Sequence, residues 1–390
     1  MKMQLFTSTV SKSPNSPASP RAMKSFSSMT PLKPSSRLAT ISWRSIANKP
    51  PAASTSTPAC SLAKHPPKMI DPYSLRTVNM HRQKGRLASY LALLALALIA
   101  EPAATAEAPV TGGVFAVKVI SDIPYCLDPS ADQQKNRLDL YLPRGSGNFP
   151  VLFFVHGGSW TRGDRKTYAL VGETFARNGI ATVVTSYRLS PGVKHPTHIH
   201  DVAKAFAWTK QNIADYGGKS DRIIVAGHSA GAHLVSLLAT DPKFLEAEKL
   251  SQKDIRAVIS VSGIYSFVYP DTLKKLENFI GLSIDTVLGT DHAVYIDASP
   301  LRHVTGKEPP FLILCASNDY PACDEKSKKF ADRLAQHGVP AIFQQIPDRG
   351  HITIMLWLMM WETDPTTQTM LRFIAKHTDL QLRPLHIQND

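Results

Sequence analysis

Residues 222–239 read RIIVAGHSAGAHLVSLLA and contain the pattern that decides the fold. An apolar run at 223–226 leads into Gly-His-Ser-Ala-Gly at 227–231, and leucines at helical spacing follow. Ser229 therefore stands where a buried strand changes into a helix. The motif G-x-S-x-G in this context is typical of a turn that displays a serine nucleophile. The alternative is that the glycines only let the strand and the helix pack closely.

Two later residues are candidates for the partners that such a serine needs. A serine hydroxyl is a weak nucleophile unless a base takes its proton and a carboxylate orients that base. Behind a strand-to-helix turn of this kind, both partners follow later in the chain, at the ends of further strands. We predict Asp319 as the acid and His351 as the base, with Asp348 as a weaker alternative acid. The non-catalytic alternatives are a turn or helix cap for the aspartate, a role that Asp324 fits better, and a surface loop for the histidine.

The sequence also offers donors for an oxyanion. His-Gly-Gly-Ser-Trp at 156–160 directly follows a buried apolar run. The backbone N–H groups of Gly157, Gly158 and Ala230 are the predicted donors, because N–H groups at these two turns are where a tetrahedral intermediate is stabilised. Two adjacent glycines could also be plain turn residues. The order of the three elements favours the catalytic interpretation.

From about residue 115 the chain alternates strand and helix patterns. Strands are predicted at 136–143, 150–158, 181–188, 223–226, 255–263, 309–317 and 341–347, and helices around 167–178, 198–216, 230–239, 327–334 and 363–377. This rhythm predicts an α/β fold with a mainly parallel central sheet, helices on both faces and ligands at the carboxyl ends of the strands. The segment 136–143 alternates apolar and polar residues, as an edge or half-exposed strand does. Residues 264–300 lack the rhythm and are predicted to form a short cap over the site.

Two apolar segments near the predicted site allow more than one interpretation. Residues 351–361 (HITIMLWLMMW) are almost entirely apolar and too short to span a bilayer. We expect them in the core, with a pocket wall or an oligomer contact as the alternatives. Tyr265, Phe267 and Tyr269 open the predicted cap, and they either shape the pocket or cover the core.

The chain resembles the α/β-hydrolase superfamily over roughly residues 115–377. NRLDLYLP, HGGSW, SYRLSP, GHSAGAH and ASPLRHV carry the resemblance. It is most similar to esterase-like members with an H-G-G-x-W motif: bacterial feruloyl-esterase-type carboxylesterases, arylformamidases such as kynurenine formamidase and, more distantly, isoprenylcysteine methylesterases. The resemblance implies the α/β-hydrolase fold, hydrolysis without a cofactor, and the roles named above for Ser229, Asp319, His351, Gly157, Gly158 and Ala230. One departure is the acid loop, often H-G-x-x-D, which here reads Cys-Ala-Ser-Asn-Asp.

Charge is distributed unevenly along the chain. The 390 residues carry a formal net charge of +13, but residues 1–100 hold 14 Lys and Arg and a single acid, whereas the remainder holds 30 of each sign. The predicted catalytic part therefore gives no electrostatic reason to expect a nucleic-acid partner.

The N-terminal region divides into two parts. Residues 1–79 are rich in Ser, Pro, Thr and Lys without apolar periodicity, and we predict a disordered extension upstream of the true start. Residues 80–106 combine a basic start, an apolar stretch and Ala-Thr-Ala, the three regions of a secretory signal peptide that begins at Met80. This predicts a secreted or periplasmic catalytic domain at 107–390 without a stable membrane span. An organellar transit sequence and a single membrane anchor are the alternatives.

Cysteines and histidines give no metal-site prediction. Cys126, Cys315 and Cys323 have neither a disulfide framework nor metal-ligand spacing, although Cys315 and Cys323 flank a short loop and either pair or remain free. The segment HPTHIHD at 195–201 clusters three histidines and an aspartate. We expect a loop entering a helix there, since its closely spaced histidines do not converge easily on one ion.

Three functional hypotheses follow. The first is a serine carboxylesterase that hydrolyses a small-molecule ester through an acyl-enzyme, without a metal or cofactor. The second is an arylformamidase, motivated by Trp160 in the oxyanion motif and disfavoured by the predicted leader. The third is a non-catalytic binding domain on a hydrolase scaffold, because fold does not determine function. A missing triad residue would favour the third, but each role has a candidate.

Overall fold

The computed structural model describes residues 108–128 and 131–385. The predicted extension at 1–79 and the predicted signal peptide at 80–106 lie outside the described residues, so the N-terminal boundaries stay predictions.

The described chain is built on one large sheet and a small one. The strands are β1 (Val110–Thr111), β2 (Val117–Pro124), β3 (Arg137–Pro143), β4 (Phe149–Val155), β5 (Ala181–Thr185), β6 (Gly218–His228), β7 (Ala257–Val261), β8 (Phe311–Asn318), β9 (Ala341–Gly350) and β10 (Arg383–Pro384). Eight of them form a sheet in the order β2-β3-β5-β4-β6-β7-β8-β9, and β1 pairs with β10. Strand β3 pairs antiparallel with both β2 and β5, and the other five pairs, from β5–β4 through β8–β9, are parallel.

Helices connect the parallel strands and lie on both faces. They are α1 (Ala169–Arg177), α2 (Thr197–Asn212), α3 (Ala230–Thr240), α4 (Lys243–Glu246), α5 (Pro270–Ile280), α6 (Asp285–Leu288), α7 (His292–Asp297), α8 (Cys323–Gln336), α9 (Thr353–Met360) and α10 (Pro365–His377). The two faces of β4 illustrate the packing: Phe153 contacts Phe206 of α2 at 5.7 Å between ring centroids, and Phe154 contacts Tyr168 at 5.4 Å. The continuous apolar runs therefore form strands buried on both faces, and the predicted α/β fold class is confirmed.

One strand prediction was wrong. The segment 136–143 was expected at an edge or half exposed, but β3 lies between β2 and β5 and is almost wholly buried. Its polar position, Asp139, tolerates burial because Arg165 Nε donates to the carboxylate at 2.9 Å. The edge position belongs to β2, a mostly exposed strand that the sequence pattern did not reveal.

The segment predicted as a cap runs outside the sheet. Residues 264–300 lie between β7 and β8 and contain three short helices, α5, α6 and α7. Phe279 and Ile280, at the end of α5, line the cavity that also contains Ser229. This segment therefore contributes to the wall of the predicted site.

The two apolar segments with open interpretations have different positions. Tyr265 and Phe267 are buried in the core, where Tyr265 stacks on Phe330 at 4.4 Å, so core packing is the correct alternative for both. The segment 351–361 is only half in the core, because α9 buries one apolar face and exposes the other. The exposed side chains are 44% to 66% accessible and comprise Ile352, Leu356, Trp357, Met360 and Trp361.

No helix within 108–128 and 131–385 is long and apolar enough to cross a membrane. Cys126, Cys315 and Cys323 are free thiols in the described chain, and Cys315 and Cys323 are buried.

Candidate active site

Ser229 occupies a sharp turn between β6 and α3. Its φ of 53° and ψ of −118° lie in a region that L-residues seldom adopt. A Cβ on Gly227 would lie 2.4 Å from the carbonyl carbon of Gly231, and one on Gly231 would lie 2.1 Å from the carbonyl oxygen of Val155. The glycines therefore allow close packing, and that packing holds the serine at the tip of the turn.

The structure brings the predicted acid, base and nucleophile into one hydrogen-bonded chain. Asp319 follows β8 and His351 follows β9, and the carboxyl ends of these neighbouring parallel strands meet beside Ser229. His351 Nδ1 lies 2.6 Å from Asp319 Oδ1, and His351 Nε2 lies 2.9 Å from Ser229 Oγ. Because a carboxylate only accepts, Nδ1–H donates to Asp319, and in the neutral imidazole Nε2 accepts from the serine hydroxyl.

The Asp319 carboxylate is held in its ionised form. Burial alone would raise the pKa of Asp319, but hydrogen bonds from His351, Ser262 and the Ala316 N–H lower it to about 2. The other two aspartates considered lie elsewhere: Asp348 is exposed, and Asp324 lies in the first turn of α8.

A cavity of about 490 Å³ opens at Ser229. Gly157 and Gly158 line it, and Ala230 lies directly behind the serine as the first residue of α3, where its N–H has no intrahelical acceptor. The φ of Gly158 is 125°, and a Cβ there would lie 2.1 Å from the carbonyl oxygen of Arg162. The two loops that carry the predicted oxyanion donors thus flank the nucleophile.

The remaining cavity wall is mostly apolar. Phe279 and Ile280 from the cap face Ile352 from the loop after His351, and Arg162 adds one guanidinium to the lining. These side chains offer an apolar surface beside Ser229.

Sequence reasoning missed His228, a buried residue that contacts the backbone of His351, and Tyr168, a partly buried residue that contacts His228. His228 Nε2 donates to the backbone carbonyl of His351 at 2.9 Å, and the Tyr168 hydroxyl lies 3.0 Å from His228 Nδ1. Burial lowers the pKa of His228 to about 3, so this imidazole is neutral beside the base at neutral pH. Spacing carries no signal for these contacts, because Tyr168 and His228 are 60 residues apart in the chain.

Trp160 of the HGGSW motif faces the core. Its indole is buried, and Nε1 donates to His233 Nδ1 at 3.2 Å while the ring packs against Phe267. His233 Nε2 donates in turn to the carbonyl of Ala298 at 2.7 Å. The tryptophan therefore links the HGGSW loop to α3. Because Trp160 does not line the cavity at Ser229, its presence in the motif no longer supports the arylformamidase hypothesis.

The residues considered for metal ligation have other partners. In the segment 195–201, His195 contacts Asp297, His198 contacts Ser190, and Asp201 accepts from Arg188. Among the described residues, one other group, Asp241, Asp297 and His303, brings three ligand atoms within 4.8 Å. The ammonium of Lys243 already pairs with both of its carboxylates.

Comparison with known sequences places this geometry in a family context. The BD-FAE family model matches residues 138–334, about half of the chain. LipM of Mycobacterium tuberculosis, named a probable carboxylic ester hydrolase, is 31% identical over 266 residues, which cover 64% of this chain and 61% of LipM. ICMEL1 of Arabidopsis thaliana, named a probable isoprenylcysteine alpha-carbonyl methylesterase, is 30% identical over 249 residues, which cover 57% of this chain and 52% of that protein. The chain thus spans between about half and three fifths of these relatives' length.

Solved structures agree on the architecture. Esterase B from Lactobacillus rhamnosis superposes with a TM-score of 0.59 at 22% identity, covering 77% of this chain and 96% of the esterase. EstE1, a thermostable carboxylesterase cloned from a metagenomic library, superposes with a TM-score of 0.56 at 19% identity, covering 77% of this chain and 97% of EstE1. At these identities the likeness shows the fold alone, which is the α/β-hydrolase fold. Together with the family match, it establishes that this chain belongs to the BD-FAE family of α/β-hydrolases.

Proposed function

We propose that this chain is a serine carboxylesterase that hydrolyses small-molecule esters through an acyl-enzyme. The observation that carries the proposal is the hydrogen-bonded chain from Ser229 through His351 to Asp319, at a cavity lined by Gly157 and Gly158. The similarity to LipM, named a probable carboxylic ester hydrolase, supports the same reaction class.

The proposed reaction has two halves. Ser229 Oγ attacks the ester carbonyl while His351 Nε2 takes the hydroxyl proton, and Asp319 stabilises the resulting imidazolium. The N–H groups of the two glycine turns and of Ala230 stabilise the oxyanion. The imidazolium then protonates the leaving alcohol, which departs and leaves an acyl-serine. Water activated by His351 attacks the acyl-serine, and the acid is released with Ser229 restored. Every step uses groups of this chain and water.

The test compares the full chain with its Ser229→Ala variant. Both are assayed with p-nitrophenyl acetate, p-nitrophenyl octanoate, methyl ferulate and N-formyl-L-kynurenine, and their folding is compared by circular dichroism. We expect ester hydrolysis by the wild type and none above background in a folded variant. Equal ester turnover by both proteins would refute the proposal.

The same assay separates the other two hypotheses. Deformylation that exceeds ester hydrolysis would establish an arylformamidase instead. A wild-type chain that hydrolyses nothing and does not react with a fluorophosphonate probe at Ser229 would favour a binding domain.

For localisation, we propose export directed by residues 80–106, with a mature catalytic domain at 107–390. The support is the sequence pattern alone: a basic start, an apolar stretch and a small-residue cleavage pattern. N-terminal sequencing of the native protein tests this, and a mature start upstream of Met80 would favour the organellar alternative. Recovery of the uncleaved protein in membranes would favour an anchor.

A further inference from the structure

The hydrogen bond between His228 and the backbone carbonyl of His351 can have only one donor. The carbonyl oxygen of His351 can only accept, so His228 must donate to it from Nε2–H. In a neutral imidazole the other nitrogen is then an acceptor, and the Tyr168 hydroxyl must donate to Nδ1. Tyr168 therefore determines the tautomer that allows His228 to hold the base.

The same two side chains support the loop with the predicted oxyanion donors. A Cβ built on Gly157 would lie 2.9 Å from His228 Nδ1 and 3.0 Å from the Tyr168 hydroxyl oxygen, so this backbone rests directly on both groups. Burial raises the pKa of Tyr168 to about 12, so its hydroxyl is protonated at neutral pH and can donate to His228.

His351 lies in the turn that connects β9 to α9. The residue follows the exposed end of β9, at the edge of the sheet, and its imidazole ring lies 4.9 Å from that of His228. Hydrogen bonding by buried partners restricts such a loop more than contact with solvent does. An error of about 1 Å in the position of a reacting group can cost about 10²-fold in rate.

We propose that Tyr168 and His228 are positioning residues, a hydrogen-bonded pair that fixes the predicted base, His351, relative to the loop with Gly157 and Gly158. The proposal rests on the proposed esterase function. Neither residue exchanges a proton with the substrate. They act through His351 and Gly157, so their loss lowers turnover more than it weakens substrate binding.

Three variants of the full chain test the pair. Tyr168→Phe keeps the ring that lines the cavity and removes the hydroxyl. His228→Leu removes both hydrogen bonds, and His228→Gln restores a donor and an acceptor at similar reach. The matched control is Tyr125→Phe, which removes a buried hydroxyl that donates to the Ser186 carbonyl and does not line the cavity at Ser229.

We expect Tyr168→Phe and His228→Leu to lower kcat for p-nitrophenyl acetate by roughly 10- to 100-fold with KM within about twofold of wild type. His228→Gln should recover most of that loss, and the double variant Tyr168→Phe/His228→Leu should be no worse than His228→Leu, because both changes break one chain. Tyr125→Phe should keep the wild-type kcat.

Three results would contradict the positioning role. Unchanged kcat in Tyr168→Phe and His228→Leu, losses confined to KM, or the same loss in Tyr125→Phe would each overturn the positioning role. If His228→Leu does not fold, Tyr168→Phe and His228→Gln still decide the question. A wild-type chain without ester turnover would refute the proposed function itself, whereas an active wild type with unaffected variants refutes this inference alone.

Discussion

Ser262 donates a hydrogen bond to Oδ2 of Asp319, the carboxylate oxygen that does not face the base. The other oxygen, Oδ1, accepts from His351. The carboxylate is thereby held at both of its oxygens. Since Ser262 follows β7 and Asp319 follows β8, neighbouring parallel strands hold the predicted acid in place.

We expect Asp319→Asn to lower kcat by about 10³- to 10⁴-fold while the protein stays folded. An amide in this place can donate as well as accept, so it favours the wrong tautomer of His351. The measurement is steady-state hydrolysis of p-nitrophenyl acetate. Asp348→Asn is the control and should retain wild-type activity, because Asp348 is exposed. A larger loss of kcat in Asp348→Asn than in Asp319→Asn would show that Asp319 is not the acid.

Gly231→Ala should destabilise the fold itself. The new Cβ would lie 2.1 Å from the carbonyl oxygen of Val155, so β4 and α3 would have to separate. Overpacking typically lowers the free energy of unfolding by about 1–3 kcal/mol, and occasionally by more. Urea denaturation measures this. Gly192→Ala, whose Cβ would meet no atom closer than 3.4 Å, should change stability little. Equal free energies of unfolding for both variants would show that the turn between β6 and α3 accommodates a Cβ at residue 231.

The elements that could be predicted from sequence are those with a strong local pattern. The parallel strands are continuous apolar runs, and Ser229, Asp319 and His351 are each next to such a run, so strand order alone suggested that they meet. Strand β2 could not be predicted, because it is mostly exposed and has no clear alternation. The burial of Asp139 depends on Arg165, a partner distant in sequence.

The directions in which side chains point could not be predicted from the sequence either. Trp160 follows the glycines of the oxyanion motif, and nothing in the motif tells whether its indole faces the cavity or the core. The exposed face of α9 is a similar case, because an apolar helix gives no amphipathic signal for which side is covered. Both answers come from packing between distant segments.

Trp160→Phe should lower stability without changing substrate preference. The substitution leaves His233 Nδ1 as a buried acceptor without its donor, which costs about 1–3 kcal/mol. Urea denaturation gives the stability, and the ratio of p-nitrophenyl acetate to N-formyl-L-kynurenine turnover gives the preference. Trp208→Phe is the matched control, since Trp208 is only partly buried. A changed ratio in Trp160→Phe would mean that the indole reaches the substrate after all.

Four buried histidines should make the fold sensitive to mild acid. Burial lowers the pKa of His156 and His198 to about 4, and that of His228 and His233 to about 3. In the unfolded chain these groups titrate near pH 6.5. Their contribution to stability is therefore complete above about pH 6.5 and is lost as pH falls toward 4 and then 3, because the unfolded state binds the protons first.

Each such histidine contributes a slope of at most about 1.4 kcal/mol per pH unit between these limits. We expect the free energy of unfolding, measured by urea denaturation at pH 7, 6, 5 and 4.5, to fall steeply below pH 6. His198→Gln removes one titrating group and should flatten the curve by about one such slope, whereas His292→Gln, at an exposed position, should leave the slope unchanged. A constant free energy of unfolding from pH 7 to pH 4.5 would contradict the lowered pKa values of these histidines. Even one histidine that is neutral when folded should cause a measurable loss of stability over that range.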